Sequence, residues 1–423
     1  MGIMRGYGIV HIPFFLEIKM IHKFVKSKSR IATIMVGFNA GSRNEEVNGY
    51  NLGISHMLEH CFFKGTKTRN WEKLLDDVAY IGGYANAFTS YGKVAYMIDV
   101  PVENIDDATE ILHDMIENMD LSEEEFQKER QVVLEEMVSS SDSTSNFIWE
   151  NLSDVFFDNY LRNPIIGTEE SINAFTRDEV IRYYKQFCGI DQAVVAISGD
   201  MKKKDAMDLM QKYFGKPNGR IKRPKFKKSS HPESMKVEIS KPGVEHVHVR
   251  VNVPGKADSD RDMVIAEVMN SYFGGGMNSK LFKEVREKKG LVYSIGSGMS
   301  DFNGDGSIQS IFFSTREEGV EEALDIINLE IEKLTTELIS EHDLIRVKNQ
   351  IKSSFYSFIE CSNSLCSYEI KRAINRTCSV EEHISMIEEV TPQDILEYAK
   401  SVYNKKSVVV LICKGEEDDN KDV

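Results

Sequence analysis

Apolar and polar positions along this chain fall into two successive arrangements of the same kind. Each opens on a β-like run, IATIMVGFNA from Ile31 in the first and VHVRVNVPG from Val247 in the second. Each continues into a segment whose apolar residues recur at three and four, GISHMLEHCFF from Gly53 and MVIAEVMNSYF from Met263, the spacing of a helix. A strand pair and an amphipathic helix come next in both. In the first half these are YANAFTSYGKVAYMIDVP and IDDATEILHDMIENM; in the second, LVYSIGSGMSDFNGDGSIQSIFFST and VEEALDIINLEIEKL. Hairpin-like pairs followed by packed helices predict an α+β fold rather than a doubly wound parallel sheet. The expectation is a duplication: two homologous α/β-sandwich domains, each a mostly antiparallel sheet packed with helices.

Between the halves lies GKPNGRIKRPKFKKSSHPES, basic, with three prolines and little apolar periodicity, which reads as an exposed linker. The expected boundaries are 15–215, a linker over 216–235, and 236–415. A nucleic-acid patch is the other reading of that basic run, and the net charge of −15 argues against it. The six cysteines form no CxxC pair, which suits a reducing compartment. No apolar run reaches the roughly 18 residues of a membrane span. The opening MGIMRGYGIVHIPFFLEIKM is a poor signal peptide, its apolar patch broken by His11 and Pro13. A cytoplasmic location is expected, and the acidic tail from Gly415 reads as a frayed end.

Candidate chemistry concentrates in NLGISHMLEHCFFKG. On a helix, His56 and His60 stand one turn apart on one face, as two imidazoles gripping one Zn²⁺ require. Glu59 lies one step off that face, where a carboxylate reaches a water on the metal without ligating the metal itself. This is HxxEH, the inverse of the commoner zincin order. A catalytic zinc takes three protein ligands. The third is sought in the helix LSEEEFQKERQVVLEEMVSSS, whose expected core-facing stripe is Phe126, Glu129, Val133, Glu136 and Met137. Glu129 and Glu136 are two turns apart, about 20° out of register. Two carboxylates in an apolar stripe are costly unless paired or metal-bound. Glu136 is the expected ligand and Glu129 its supporting neighbour. Cys61 points about 100° away from His60 and reads as a small buried hydrophobe rather than a thiolate ligand. His246 and His248 share one strand face, more often cross-strand pairing than a metal site.

These segments together resemble the inverzincin zinc peptidases: pitrilysin, insulin-degrading enzyme and the mitochondrial processing peptidase, with this chain similar to a short bacterial-type processing peptidase. HMLEHCFFKGT, NAFTS from Asn86 and ERQVVLEE from Glu129 follow the family's order. The 76-residue step from His60 to Glu136 falls where the family places its third ligand. FGGGMNSKLFKEVREKKGLVYS from Phe273 is similar to the family's glycine-rich turn and Arg…Tyr pair. The resemblance implies one Zn²⁺ per chain and peptide-bond hydrolysis with Glu59 activating water. It implies a substrate strand paired on Asn86 and Ala87, and an oxyanion stabilised by Arg286 and Tyr293. It also implies a closed chamber built from four such domains, hence a homodimer, or a heterodimer with a related chain, taking peptides and unfolded segments. The N-terminal hairpin, with its turn VKSKSR, is shorter than the family's. The alternative within the family is a non-catalytic chamber or scaffold subunit of a heteromeric processing peptidase; those members have lost ligands that this chain keeps.

Overall fold

The computed structural model describes residues 20–217, 226–375, 377–404 and 406–416. The expected opening segment therefore lies outside the described residues, except Met20. So do the last residues of the tail and positions 218–225 of the linker.

Ten strands form two five-stranded sheets of equivalent topology. The first contains β1 (Ile21–Lys26), β2 (Ile31–Phe38), β3 (Tyr84–Thr89), β4 (Val94–Pro101) and β5 (Val194–Gly199), in the order β1-β5-β2-β4-β3. The second contains β6 (Met235–Lys241), β7 (Val247–Pro254), β8 (Val292–Asp301), β9 (Ser307–Thr315) and β10 (Val409–Gly415), ordered β6-β10-β7-β9-β8. Each sheet has one parallel pair, β1 with β5 and β6 with β10; the other pairs are antiparallel. The α+β duplication is as the sequence pattern indicates.

The expected hairpin of β1 and β2 is not formed. β5 inserts between them, pairing with β1 in parallel and with β2 antiparallel. Burial explains the order. All six residues of β5 (VVAISG) are buried, so this strand needs partners on both edges, whereas IHKFVK of β1 carries polar residues that an edge tolerates.

Both faces of each sheet are covered, and one face of each is covered by the other half. In the first sheet Ala32, Ile34, Val36 and Phe38 join the core with the helices Ile54–Cys61, Ile105–Glu117 and Lys203–Phe214. Met35, Ala95, Met97 and Ala196 point the other way, onto Cys366, Ile370 and Ile374 of the helix Ser362–Asn375, which belongs to the second half. Gly37 permits that approach: a Cβ there would collide with the Ile370 side chain. Reciprocally, Ile148, Leu152 and Phe156 of the helix Thr144–Phe156 pack on Ile308, Val409 and Leu411 of the second sheet. The β8–β9 turn completes the seam. Its Phe302 meets Tyr91, Trp149 and Phe157, and Asp305 accepts from Tyr160 Oη at 2.6 Å. The described part of the linker is bonded to the first half, with Lys227 and Ser230 both on Asp158.

Candidate metal centre

The helix Ile54–Cys61 carries three of the candidate residues and starts without a side-chain cap of its own. Its N-cap is Gly53, at φ 88°, a left-handed conformation that favours glycine. Glu45, fully buried, supplies the missing acceptor from outside the helix. Its carboxylate accepts from the Gly53 N–H at 2.8 Å, the Ser55 N–H at 3.1 Å and the Ser55 hydroxyl. Even so, burial outweighs these bonds and pushes the Glu45 carboxyl up to about 7.

Across from it, the helix Glu123–Asp142 is capped by the Ser122 hydroxyl, which accepts from the Glu125 N–H at 3.1 Å. The expected apolar stripe of this second helix is only partly right. Phe126, Glu129 and Val133 are buried, but beyond Val133 no residue of the helix is, and the Glu136 side chain is 47% exposed. Leu134 and Met137 still pack against the core as partly buried residues, and Glu136 between them meets the two histidines from the solvent side.

His56 and His60 have ring centroids 4.8 Å apart. Glu136 lies 3.7 Å from His56 Nε2 and 3.1 Å from His60 Nε2. One donor atom from each of the three lies within 4.8 Å of the others, and among the described residues no other group of three His, Cys, Asp or Glu side chains meets that condition. Two imidazoles and one carboxylate converging this closely fit a catalytic zinc, which takes three protein ligands and keeps a position open. Glu129 stands behind them, its Oε2 3.1 Å from His60 Nδ1 and its other oxygen paired with Lys64. That contact directs His60 Nε2 towards Glu136, as an outer partner of a metal ligand does.

The charges are strongly coupled. Burial lowers His56 to about 4, with the His60 charge adding to it and Glu136 opposing. Burial also pulls on His60, but its bonds to Glu129 and Glu136 prevail and lift it to about 9. His60 thus faces a carboxylate from each ring nitrogen, Glu129 at Nδ1 and Glu136 at Nε2. Glu59 is raised by burial against a 2.5 Å hydrogen bond from Thr89 Oγ1 to its Oε2. A cavity of about 280 Å³ opens beside His56 and Glu136, walled by Thr89, Tyr91 and Trp149.

Asn86 and Ala87 lie on β3, the edge strand of the first sheet, and the Ala87 N–H donates to Asn86 Oδ1 at 2.8 Å. Arg286 and Tyr293 come together in the second half. The guanidinium carbon is 5.2 Å from the Tyr293 ring and 4.6 Å from that of Phe282. Arg286 is on the π-helix Phe282–Glu287, and Tyr293 falls at a β-bulge of edge strand β8 and is 78% exposed. Among the described residues, no hydrogen bond or ion pair joins either of them to His56, His60 or Glu136. Cys61 is fully buried, with its thiol pushed up by that burial. Sequence reasoning missed Glu45, Lys64 and Thr89. Thr89 was within the quoted NAFTS segment, while nothing local marks Glu45 as the cap of a helix eight residues on.

Residues 24–169 match the family model described as insulinase, peptidase family M16, and residues 174–351 match that of the peptidase M16 inactive domain. The chain belongs to the M16 peptidase family. It is 29% identical over 393 residues to the "uncharacterized zinc protease YmxG" of Bacillus subtilis, covering 90% of this chain and 93% of that one. A Rickettsia felis "uncharacterized zinc protease" is 29% identical over 380 residues, covering 88% and 90%. Two solved structures share the fold of this M16 chain, each with a TM-score of 0.83. One is a protease from Helicobacter pylori, 23% identical, covering 94% of this chain and 98% of its own. The other is described as a peptidase M16 inactive domain from Pseudomonas fluorescens, 16% identical, covering 93% and 95%. No helix of the described residues is long and apolar enough to cross a membrane.

Proposed function

We propose that this M16 chain is a zinc-dependent endopeptidase in which His56, His60 and Glu136 hold one metal ion and Glu59 is the general base. The observation that carries the reading is the convergence of three ligand atoms within 4.8 Å beside the half-buried carboxylate of Glu59, which shares a helix with the two histidines. When bound, zinc supplies a Lewis acid that brings the pKa of water towards about 7 and polarises a peptide carbonyl.

The remaining steps belong to side chains of the chain itself. Thr89 holds Glu59 Oε2, leaving Oε1 to take the proton of the attacking water and return it to the leaving amine. Glu129 keeps His60 in the orientation that presents Nε2. An extended substrate adds as a strand to β3, and the Asn86 side chain, which satisfies the Ala87 N–H when the edge is empty, swings aside as the peptide arrives. Arg286 and Tyr293 supply donors where negative charge develops on the scissile carbonyl. They act from a second copy across a dimeric chamber, as the resemblance to family members built from four such domains implies. A chamber of that kind admits peptides and unfolded segments. The alternative, a non-catalytic subunit, requires the ligands to be missing or unable to bind.

The test is metal analysis with reversible chelation. The peptidase reading expects one zinc per chain, cleavage of a quenched peptide library lost with the metal, and cleavage restored by zinc alone. A purified chain that binds no zinc revives the non-catalytic reading.

A further inference from the structure

A cavity of about 730 Å³, larger than the one beside the metal trio, lies in the second half. Its walls come from the helices Asp260–Phe273, Ser362–Asn375 and Val380–Glu389 and from β8. None of the proposed peptidase residues reaches it. Inside it, Cys378 Sγ lies 4.0 Å from His383 Nδ1, and His383 Nε2 lies 2.9 Å from Glu267 Oε2. The imidazole is clamped by stacking on Phe355, at 4.9 Å between centroids and 15° between planes. A thiol facing one nitrogen of a fixed imidazole, whose other nitrogen is held by a carboxylate, is the arrangement that activates a nucleophile.

We propose that Cys378 is a thiol modification site that takes small disulfides, with His383 as its base and Glu267 orienting that base. Four of the six cysteines are buried, and Cys361 is exposed; only Cys378 has both an imidazole within reach and an open cavity in front of it. The resting thiol is protonated, since burial and then the Asp260 charge hold it above its usual range. Reaction therefore begins with transfer of the thiol proton to His383 Nδ1, where Glu267 stabilises the imidazolium. The Cys378 sulfur attacks one sulfur of the incoming disulfide; a new S–S bond forms as the old one breaks. The departing thiolate recovers the proton from His383. One disulfide is consumed, one thiol is released, and Cys378 is left as a mixed disulfide.

The charge of the cavity selects among disulfides. Among the described residues, the carboxylates of Asp258, Asp260 and Glu267 line it with one lysine, Lys371, so an amine-bearing disulfide is favoured over an anionic one.

The experiment treats the full chain with cystamine and follows each cysteine by peptide mapping, with Cys361 as the exposed reference in the same molecule. Cys378 is expected to react at least about tenfold faster than Cys361, and faster with cystamine than with a dicarboxylate disulfide. His383→Ala is expected to slow Cys378 about 100-fold, the low end of what a positioned base contributes, and to leave Cys361 unchanged. Modification of the four buried cysteines in that variant would reveal a loosened fold; Glu267→Gln, which keeps size and reach, then gives the same reading with a smaller slowing. A Cys378 no faster than Cys361, or a rate untouched by either variant in an intact fold, overturns the assignment.

Discussion

Glu45 offers a test in which two large effects oppose each other. Its carboxylate caps the helix that carries His56 and His60, yet it is completely buried, and burial pushes it from 4.5 up to about 7. That gap corresponds to about 3 kcal/mol at 1.36 kcal/mol per pH unit. Between these two values the folded chain keeps a proton that the unfolded chain has lost. Stability from this group is therefore complete below 4.5, falls as pH rises, and is gone above about 7.

Glu45→Gln removes the titration while preserving shape. Both Glu45 oxygens accept from backbone N–H groups, and the amide NH2 cannot accept, so one of the Gly53 and Ser55 donors loses its partner in the variant. The variant should therefore start below the parent near pH 4.5 and gain about 3 kcal/mol on it by pH 8, because only the parent titrates. Both tryptophans, Trp71 and Trp149, lie in the first half, so urea titrations of the metal-free protein followed by tryptophan emission report on the half that contains Glu45. A difference between variant and parent that does not change with pH refutes the reasoning. It would mean that the ionised carboxylate is a favourable cap at the positive end of the helix.

Further outcomes follow from the same geometry. Glu129→Gln removes the charge behind His60 and should weaken zinc binding by about 10–100-fold in a competition titration with a chelator, with the fold intact by circular dichroism. Mixing a His60→Ala chain with a Tyr293→Phe chain, each nearly inactive alone, should recover part of the activity if the oxyanion donors act across the dimer; no recovery in a mixture shown to exchange subunits excludes that arrangement. Ile370→Ala, in the second half, should destabilise the first-half tryptophan transition by about 2–5 kcal/mol, because Ile370 is fully buried against the first sheet. An unshifted transition would mean that the helix does not support that sheet.

How far the sequence carried depended on the range of the interactions involved. The segments around Ile31, Val247 and the two strand pairs were legible because alternation and helical spacing are local. The positions of β1 and β5 were not: the resemblance implied an N-terminal hairpin with the turn VKSKSR, whereas the uniformly buried β5 required two partners and took the place between. The exchange of covering helices between halves has no local signature either. Ser362–Asn375 is simply amphipathic, and its target face is found only once Met35, Met97 and Gly37 are assembled into a sheet.

Within the site, one-turn spacing foretold that His56 and His60 would share a face, and helical arithmetic put Glu129 and Glu136 nearly in line. Periodicity could not show that Glu136 turns to the solvent side, with Leu134 and Met137 still packed on the core, while Glu129 stays buried. Thr89 and Glu45 reach the metal helix from other elements, so their parts became visible only in three dimensions.

In the proposed mechanism Glu59 moves the proton during peptide hydrolysis while His56, His60 and Glu136 hold the metal. Its most direct test compares the parent with Glu59→Gln at equal, measured zinc content on one quenched peptide substrate. Unchanged zinc stoichiometry and a fall in kcat of at least about 100-fold are expected. A Glu59→Gln chain that keeps its zinc and cleaves at the parental rate contradicts it.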